Sequence, residues 1–428
     1  MKHKSLCLVI LLASFHPLFA GNLTPTEKKI IQNVNRNAGD AITMLEKTVN
    51  INSGTMNHEG VRQVGDLFRK EFDSLGFETR WIDMPAEVNR AGHLFAERKG
   101  TQGKRLLLIG HLDTVFEKDS PFSPFTRNGS RATGQGVNDM KGGDVVLIFA
   151  LKALNDAGAL KNTRMIVAFT GDEEKSGAPF EISRKDLVEA ARASDVALAF
   201  ESGEGDTGTI ARRGVSSWTL KVTGTQAHSS GIFGADAGAG AIFETARILN
   251  TFYSQLAEEK YLTFNPGVIL GGTEVTYDPE QNRGSGFGKT NVIARTAVVH
   301  GDLRFISTDQ REKARQKMRE IVAQSLPKTS AQIEFEDGYP AMFPSEGNTR
   351  ILNMLDQVSR DLGDAPITAF DPGARGAGDI SFAADYDDCL DGLGAMGNGG
   401  HTPDEDVDLA TIPQQIQRAA ILIYRLTR

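Results

Sequence analysis

Three short runs, at 105–109, 165–170 and 195–200, are almost continuously apolar. Strands exposed on one face alternate apolar with polar residues, so runs without alternation predict strands covered on both faces, as in a parallel sheet. A fourth run, 390–396, reads as a weaker strand because Asp391 and two glycines interrupt it. Helical spacing at 25–50 and 58–75 predicts two amphipathic helices ahead of these strands, and 141–157 predicts a helix between two of them. The alternation implies an α/β domain built on a largely parallel central sheet.

The texture changes between 214 and 338. Strand 216–222, helix 235–256, strands 267–275 and 292–305, helix 308–325 and strand 332–336 follow the βαββαβ order of a ferredoxin-like sandwich. The α/β pattern then resumes with helix 348–362. The expected organisation is therefore a catalytic domain split into 21–213 and 339–428 by an inserted domain, 214–338. The glycine-rich pieces 271–272, 284–288 and 397–400 read as turns and loops.

At the amino terminus, Lys2, His3 and Lys4 precede an apolar run at 6–15, and Ala20 stands before Gly21. This is the pattern of a cleaved signal peptide, residues 1–20, which predicts export to a periplasm or the medium with no membrane anchor left afterwards. Cys7 would leave with it, so Cys389 alone remains and no internal disulfide can form. A formal charge of −8 offers no basic surface for nucleic acid.

Candidate metal ligands stand directly after the apolar runs. Gly110-His111-Leu112-Asp113 follows the first, Gly171-Asp172-Glu173-Glu174 the second, Glu201 the third, and a glycine-rich loop ending in His401 the fourth. Ligands of open α/β sheets bind outside the carboxyl ends of the strands, where these residues can converge. Asp139, just ahead of helix 141–157, can bridge two cations. Two His, two Glu and one shared Asp would give each of two Zn²⁺ ions three protein ligands, with room for a shared water.

Gly110–Val115, the Asp139-Met140-Lys141-Gly142-Gly143 segment, Thr170–Glu174, Phe200-Glu201 and Gly400-His401-Thr402 resemble, in order, the two-zinc peptidase family of glutamate carboxypeptidase, acetylornithine deacetylase, succinyl-diaminopimelate desuccinylase and aminoacylase. That resemblance implies His111 and Glu201 on one zinc, Glu174 and His401 on the other, and Asp139 bridging, with another divalent metal as the alternative to zinc. It implies that Asp113 orients His111, that Glu173 is the general base, and that the Asp139–Met140 peptide bond is cis. The inserted domain would be a lid that also makes a homodimer, with His228 reaching the partner's site. Asn291 and Arg304 would hold the substrate's polar groups and terminal carboxylate, and the Gly378 loop would approach it. The implied substrate is a small peptide or an N-acyl amino acid.

One departure stands out: where glutamate carboxypeptidase has a basic residue near the end of the lid, this chain has Asp337-Gly338-Tyr339-Pro340, leaving Arg212 and Arg213 as replacements. Carboxypeptidase is the leading activity, and dipeptidase, aminopeptidase or deacylase chemistry on the same metals is the alternative. A solute-binding homologue without catalysis should lack ligands or base, and neither is missing here.

Overall fold

The apolar runs become the middle of a six-stranded sheet ordered Glu78–Ile82, His93–Arg98, Thr163–Thr170, Gln102–His111, Val196–Ala199 and Asp388–Leu390. A computed structural model of the chain describes residues 23–278 and 281–428, and the expected signal peptide lies outside them. The last four strands of that order are mutually parallel, whereas the first two pair antiparallel. These two strands, one at the edge and one beside it, were not foreseen. Glu78 and Arg80 interrupt the first, and the second keeps only Leu94–Ala96 apolar before Glu97 and Arg98, too short a run to betray a central strand.

Both faces of the sheet are covered. Leu106 and Leu108 pack into the larger core with helices Pro25–Val49, Lys141–Asp156 and Thr411–Leu426, while Leu107 and Ile109 face a second cluster with Leu187, Met342 and Ile380. Pro25–Val49 starts with Thr24 and Glu27 capping each other's backbone N–H groups and proline in its first turn. Helix Lys141–Asp156 is buried along most of its length, which explains its nearly unbroken apolar sequence.

The fourth run behaves differently from expectation. Only Asp388–Leu390 joins the sheet; Gly392, at φ +79°, turns the chain away, and the residues beyond form a loop. His401 therefore does not follow a strand of the central sheet. It follows Gly397–Asn398, one edge of a small sheet completed by Asp406–Asp408, Arg131–Thr133 and Thr126–Asn128. Strands of two or three residues leave no period to detect.

The middle of the chain forms a separate antiparallel sheet ordered Thr263–Gly272, Thr296–Phe305, Gly214–Gly224 and Thr329–Asp337. Burial alternates along Gly214–Gly224 and Thr296–Phe305, placing Trp218, Leu220, Val222, Val299 and Leu303 against helices Gly240–Leu256 and Thr308–Val322. Three expectations need correction. Gly271 and Gly272 end a strand instead of forming a turn. Glycine-rich 284–288 lies largely in strand Arg283–Phe287, the second arm of an exposed hairpin with Glu274–Asp278. The first helix starts at Gly240, five residues late, because Gly238 and Gly240 adopt positive φ. Where the chain enters and leaves this sheet, the crossing segments hydrogen-bond each other: Val215 N–H to the Tyr339 carbonyl at 2.9 Å, Met342 N–H to the Arg212 carbonyl at 3.0 Å.

At the opposite end of the central sheet from the candidate ligands, Asp387 is buried with neither carboxylate oxygen hydrogen-bonded. Burial, then the charges of Asp195 and Asp388 against the attraction of Arg105, push its carboxyl up to about 8. An unfolded aspartate titrates near 3.9, so the folded chain binds the extra proton between about pH 4 and 8 and this group's contribution to stability falls as pH rises through that window. Asp387→Asn should therefore melt higher than the parent at pH 8, by about 1–3 kcal/mol, with the gap narrowing toward pH 4.5. Thermal melts across pH check it; a gap independent of pH would show that ionisation of Asp387 carries no penalty.

Candidate metal centre

Four loops at the carboxyl edge of the parallel strands bring the predicted ligands together. His111 is the last residue of its strand, and Asp139 stands two residues before helix Lys141–Asp156. The helix can start this close to the sheet because a Cβ on Gly143 would lie 1.8 Å from the Phe200 carbonyl oxygen, which explains the paired glycines after Lys141. The Asp139–Met140 bond is cis.

The carboxylate of Asp139 divides between two groups. Its Oδ1 lies 3.3 Å from His111 Nε2, which is also 3.6 Å from Glu201 Oε1. Its Oδ2 lies 3.2 Å from His401 Nε2, which is 3.1 Å from Glu174 Oε2. Among the described residues these are the two clusters able to hold a metal ion, and they share Asp139.

Asp113 organises the first cluster without joining it. The backbone carbonyl of Asp113 is 3.1 Å from His111 Nδ1 and its Oδ1 is 3.4 Å away, so Nδ1 carries a proton and Nε2 is the nitrogen left to offer a lone pair to a cation held between the two carboxylates. The Asp113 carboxylate also accepts from Thr55 Oγ1 at 2.6 Å and from the N–H groups of Glu173 and Glu174 at 3.0 and 3.1 Å. One buried aspartate thus sets a histidine ring and the loop bearing two glutamates.

The same loop is held from behind by Arg184, whose buried guanidinium donates to Asp172 at 2.7 Å, Asp379 at 2.8 Å and the Tyr339 hydroxyl at 2.9 Å. Tyr339 in turn donates to the Glu173 carbonyl at 3.1 Å. Glu405 anchors the other side: it is almost fully buried and accepts the N–H groups of Gly136, Asn138 and Asp139 at 2.8–2.9 Å. The His401 loop and the Asp139 loop are thereby tied through one carboxylate.

The electrostatics describe too much negative charge in too little water. Burial, then the charge of Asp139, pushes Glu201 up to about 7, and burial with the charges of Glu201, Asp379 and Glu174 raises Glu173 well above the usual range. Hydrogen bonds to Asp139 and Glu174 push His401 up to about 11. Asp144, wholly buried behind Gly110 without a hydrogen bond, is pushed well above the usual carboxylate range by burial. Converging imidazole and carboxylate donors, with the buried Glu174 Oε1 lacking any partner, fit divalent cations of the zinc type.

These groups open on a cavity of about 510 Å³. Glu173 lines it beside the ligands, as do Arg212 and Arg375. The Gly378 loop lines it through Gly376 and Ala377, while Gly378 itself packs against Arg212, whose guanidinium a Cβ there would meet at 2.9 Å. Arg304, ion-paired to Asp302 at 3.0 Å, lies outside the lining residues, as do Asn291 and His228. The exposed His228 caps a short turn through Ser230, and the Asn291 carbonyl accepts the N–H of Ser229. Arg213 bonds Thr263 and the Gly373 carbonyl instead of the cavity. Sequence reading missed Thr55, Arg184, Glu405 and Arg375; a lone Thr, Arg or Glu at a distance carries no local signal.

A parallel-sheet edge presenting two donor clusters around a shared carboxylate defines a metal-dependent hydrolase. The chain belongs to peptidase family M20/M25/M40, whose model matches residues 107–425. It is 28% identical to carboxypeptidase G2 of Pseudomonas sp. (strain RS-16) over 392 residues, covering 90% of this chain and 89% of that one. It is 27% identical to succinyl-diaminopimelate desuccinylase of Gluconobacter oxydans, covering 79% and 86%. Its fold is shared with a dinuclear metal-binding M20 peptidase of Bacillus subtilis at a TM-score of 0.63 and 15% identity, covering 92% and 99%.

Partners behind metal ligands typically set affinity by about 10–100-fold. Glu405→Gln trades a full carboxylate for one carbonyl acceptor against three N–H donors, so the affinity of the metal-stripped protein for Zn²⁺ should fall by about that factor. Calorimetric titration measures it, and unchanged affinity would reduce Glu405 to a bystander.

Proposed function

We propose that the chain is an exopeptidase that uses two zinc ions to hydrolyse the amide bond of a small peptide or N-acyl amino acid, with carboxypeptidase action the leading case. The observation that carries it is Glu173: a carboxylate beside both donor clusters, lining their cavity, that belongs to neither cluster. His111 and Glu201 would hold one ion, Glu174 and His401 the other, with Asp139 shared. Bound there, the ions would supply Lewis acidity and lower the pKa of a water. The protein's own part is proton traffic. Asp113 fixes the N–H of Glu173 and Tyr339 its carbonyl, so the Glu173 carboxylate is held where it can take a proton from water and return it to the leaving nitrogen. Its raised proton affinity suits a group that must hold that proton between the two steps. A cavity of about 510 Å³ suits a small substrate.

In this reading residues 214–338 are a lid and dimerisation domain between catalytic parts 21–213 and 339–428. The exposed Phe233, Ile242, Phe243, Ile269 and Phe287 support a homodimer, because apolar side chains clustered on one small domain favour a partner surface. His228, Asn291 and Arg304 would then meet substrate across the dimer or on lid closure. Export rests on the amino-terminal pattern; among the described residues no helix is long and apolar enough to cross a membrane.

Glu173→Gln should keep its metal while turnover falls by about 10²–10⁴-fold, whereas Glu174→Gln should lose metal. Metal analysis alongside kinetics separates them; near-normal turnover in Glu173→Gln, or an emptied site, would overturn the role of the base. For the dimer, mixing inactive His228→Ala and Glu173→Ala chains should restore activity, since one site of each mixed dimer has both residues intact. Mixing without recovery, or a fully active monomer, would refute the shared site.

A further inference from the structure

Arg375 stands out because nothing in the proposed chemistry uses it. Its side chain is 11% exposed, yet its Nε has no hydrogen-bond partner. One terminal nitrogen donates to the Ser202 carbonyl, and the other has only Glu204, at 3.9 Å and itself 49% exposed. The ring of Phe370 lies 5.7 Å from the guanidinium carbon and offers a face without a charge. A buried guanidinium ordinarily has its donors matched by anions or carbonyls, because taking that charge out of water costs several kcal/mol unless it is paired.

The neighbouring Arg212 shows what matching looks like. It is ion-paired to the buried Asp391 and donates to the carbonyls of Gly376 and Ala377 at 3.0 and 2.7 Å. Two guanidinium groups thus share one wall of the cavity, one neutralised and the other not. Burial and then the charge of Arg212 depress the proton affinity of Arg375, and the attraction of Asp391, Glu201 and Glu204 does not make up for them. The cavity's carboxylates do not neutralise Arg375: Asp139, Glu174 and Glu201 belong to the two donor clusters, where cations would claim them. Of the carboxylates lining the cavity, Glu204 is the one paired with Arg375, and it is half in solvent at a distance too long for a hydrogen bond.

We infer that Arg375 is an anion-recognising residue in the substrate cavity, and that the preferred substrate carries a carboxylate there in addition to the terminal carboxylate assigned to the lid. The inference rests on the hydrolase reading and names its substrate class: amides flanked by two acidic groups. A carboxylate can accept two parallel N–H bonds from a guanidinium, and displacing Glu204 into solvent frees the donors to make them.

Matched substrates that differ only in charge test this. N-acetylglutamate is compared with N-acetylglutamine, and N-succinylalanine with its succinamide, so that the extra carboxylate is placed once on each side of the scissile bond. The parent enzyme should favour the acid of at least one pair by about tenfold or more in kcat/KM, and Arg375→Gln should collapse that ratio toward unity. Arg375→Lys, which keeps the charge but loses the fork, should retain part of it and also serves if the glutamine variant fails to fold. Calorimetry of each acid and amide on Glu173→Gln protein, with and without the Arg375 change, reads the same preference without turnover. Equal affinity for acid and amide, or an Arg375 variant that weakens both members alike, would overturn anion recognition and leave Arg375 as a support for the Ser202 backbone. Failure of all substrates to be hydrolysed would count against the hydrolase reading, and the binding ratio would still decide the role of Arg375.

Discussion

The centre depends on the mutual repulsion of carboxylates that the fold refuses to let separate. Asp139, Glu173, Glu174 and Glu201 face one cavity with two imidazoles between them. Left to itself, such a cluster would swing its side chains into water or take up protons, and the raised proton affinities of Glu173 and Glu201 show how strongly burial presses the second course. Divalent cations relieve the same repulsion with far more charge. The surrounding structure can accordingly be read as a set of clamps that preserve an unfavourable arrangement until cations make it favourable.

Those clamps are themselves charged and buried, which is costly unless every donor and acceptor is used. Asp113 meets the condition with a histidine, a hydroxyl and two backbone N–H groups. Glu405 meets it with three N–H groups, and Arg184 with two carboxylates, a backbone carbonyl and a phenol. Removing either partner of such a set strands a charge in the interior, so the clamps are expected to be less tolerant of truncation than ligands that open on water.

Much of this architecture was legible because it obeys a period or a position. Continuous apolar runs announced the central strands, and the changed order of elements from Gly214 announced a second kind of sheet. Residues placed at strand ends could be brought together on topology alone, as His111, Glu174 and Glu201 were. What stayed hidden lacks both properties. Glu405 matters because its loop folds back on the Asp139 loop, and Arg184 because Asp379, far along the chain, returns beside Asp172. Glycine misled at 284–288, where it masked a strand.

The route of the chain between its two sheets adds a last connection. The outgoing segment carries Arg212, whose guanidinium lines the cavity and braces the Gly376–Ala377 loop; the returning segment carries Tyr339, whose hydroxyl holds the Glu173 carbonyl. These segments are hydrogen-bonded to each other, with Arg212 exchanging both backbone bonds with Met342. Tyr339 is packed edge-on against Phe180 and Phe382, so its hydroxyl cannot follow a displacement of the crossing without repacking three rings. The position of the antiparallel sheet and the position of Glu173 are thus mechanically linked through two side chains on the paired crossing segments. A tyrosine at the end of the inserted segment, where a basic residue was looked for, places a positioning group there instead of a charge, and the positive charge on the cavity wall comes from Arg212 and Arg375, with Arg375 the one lacking a close carboxylate.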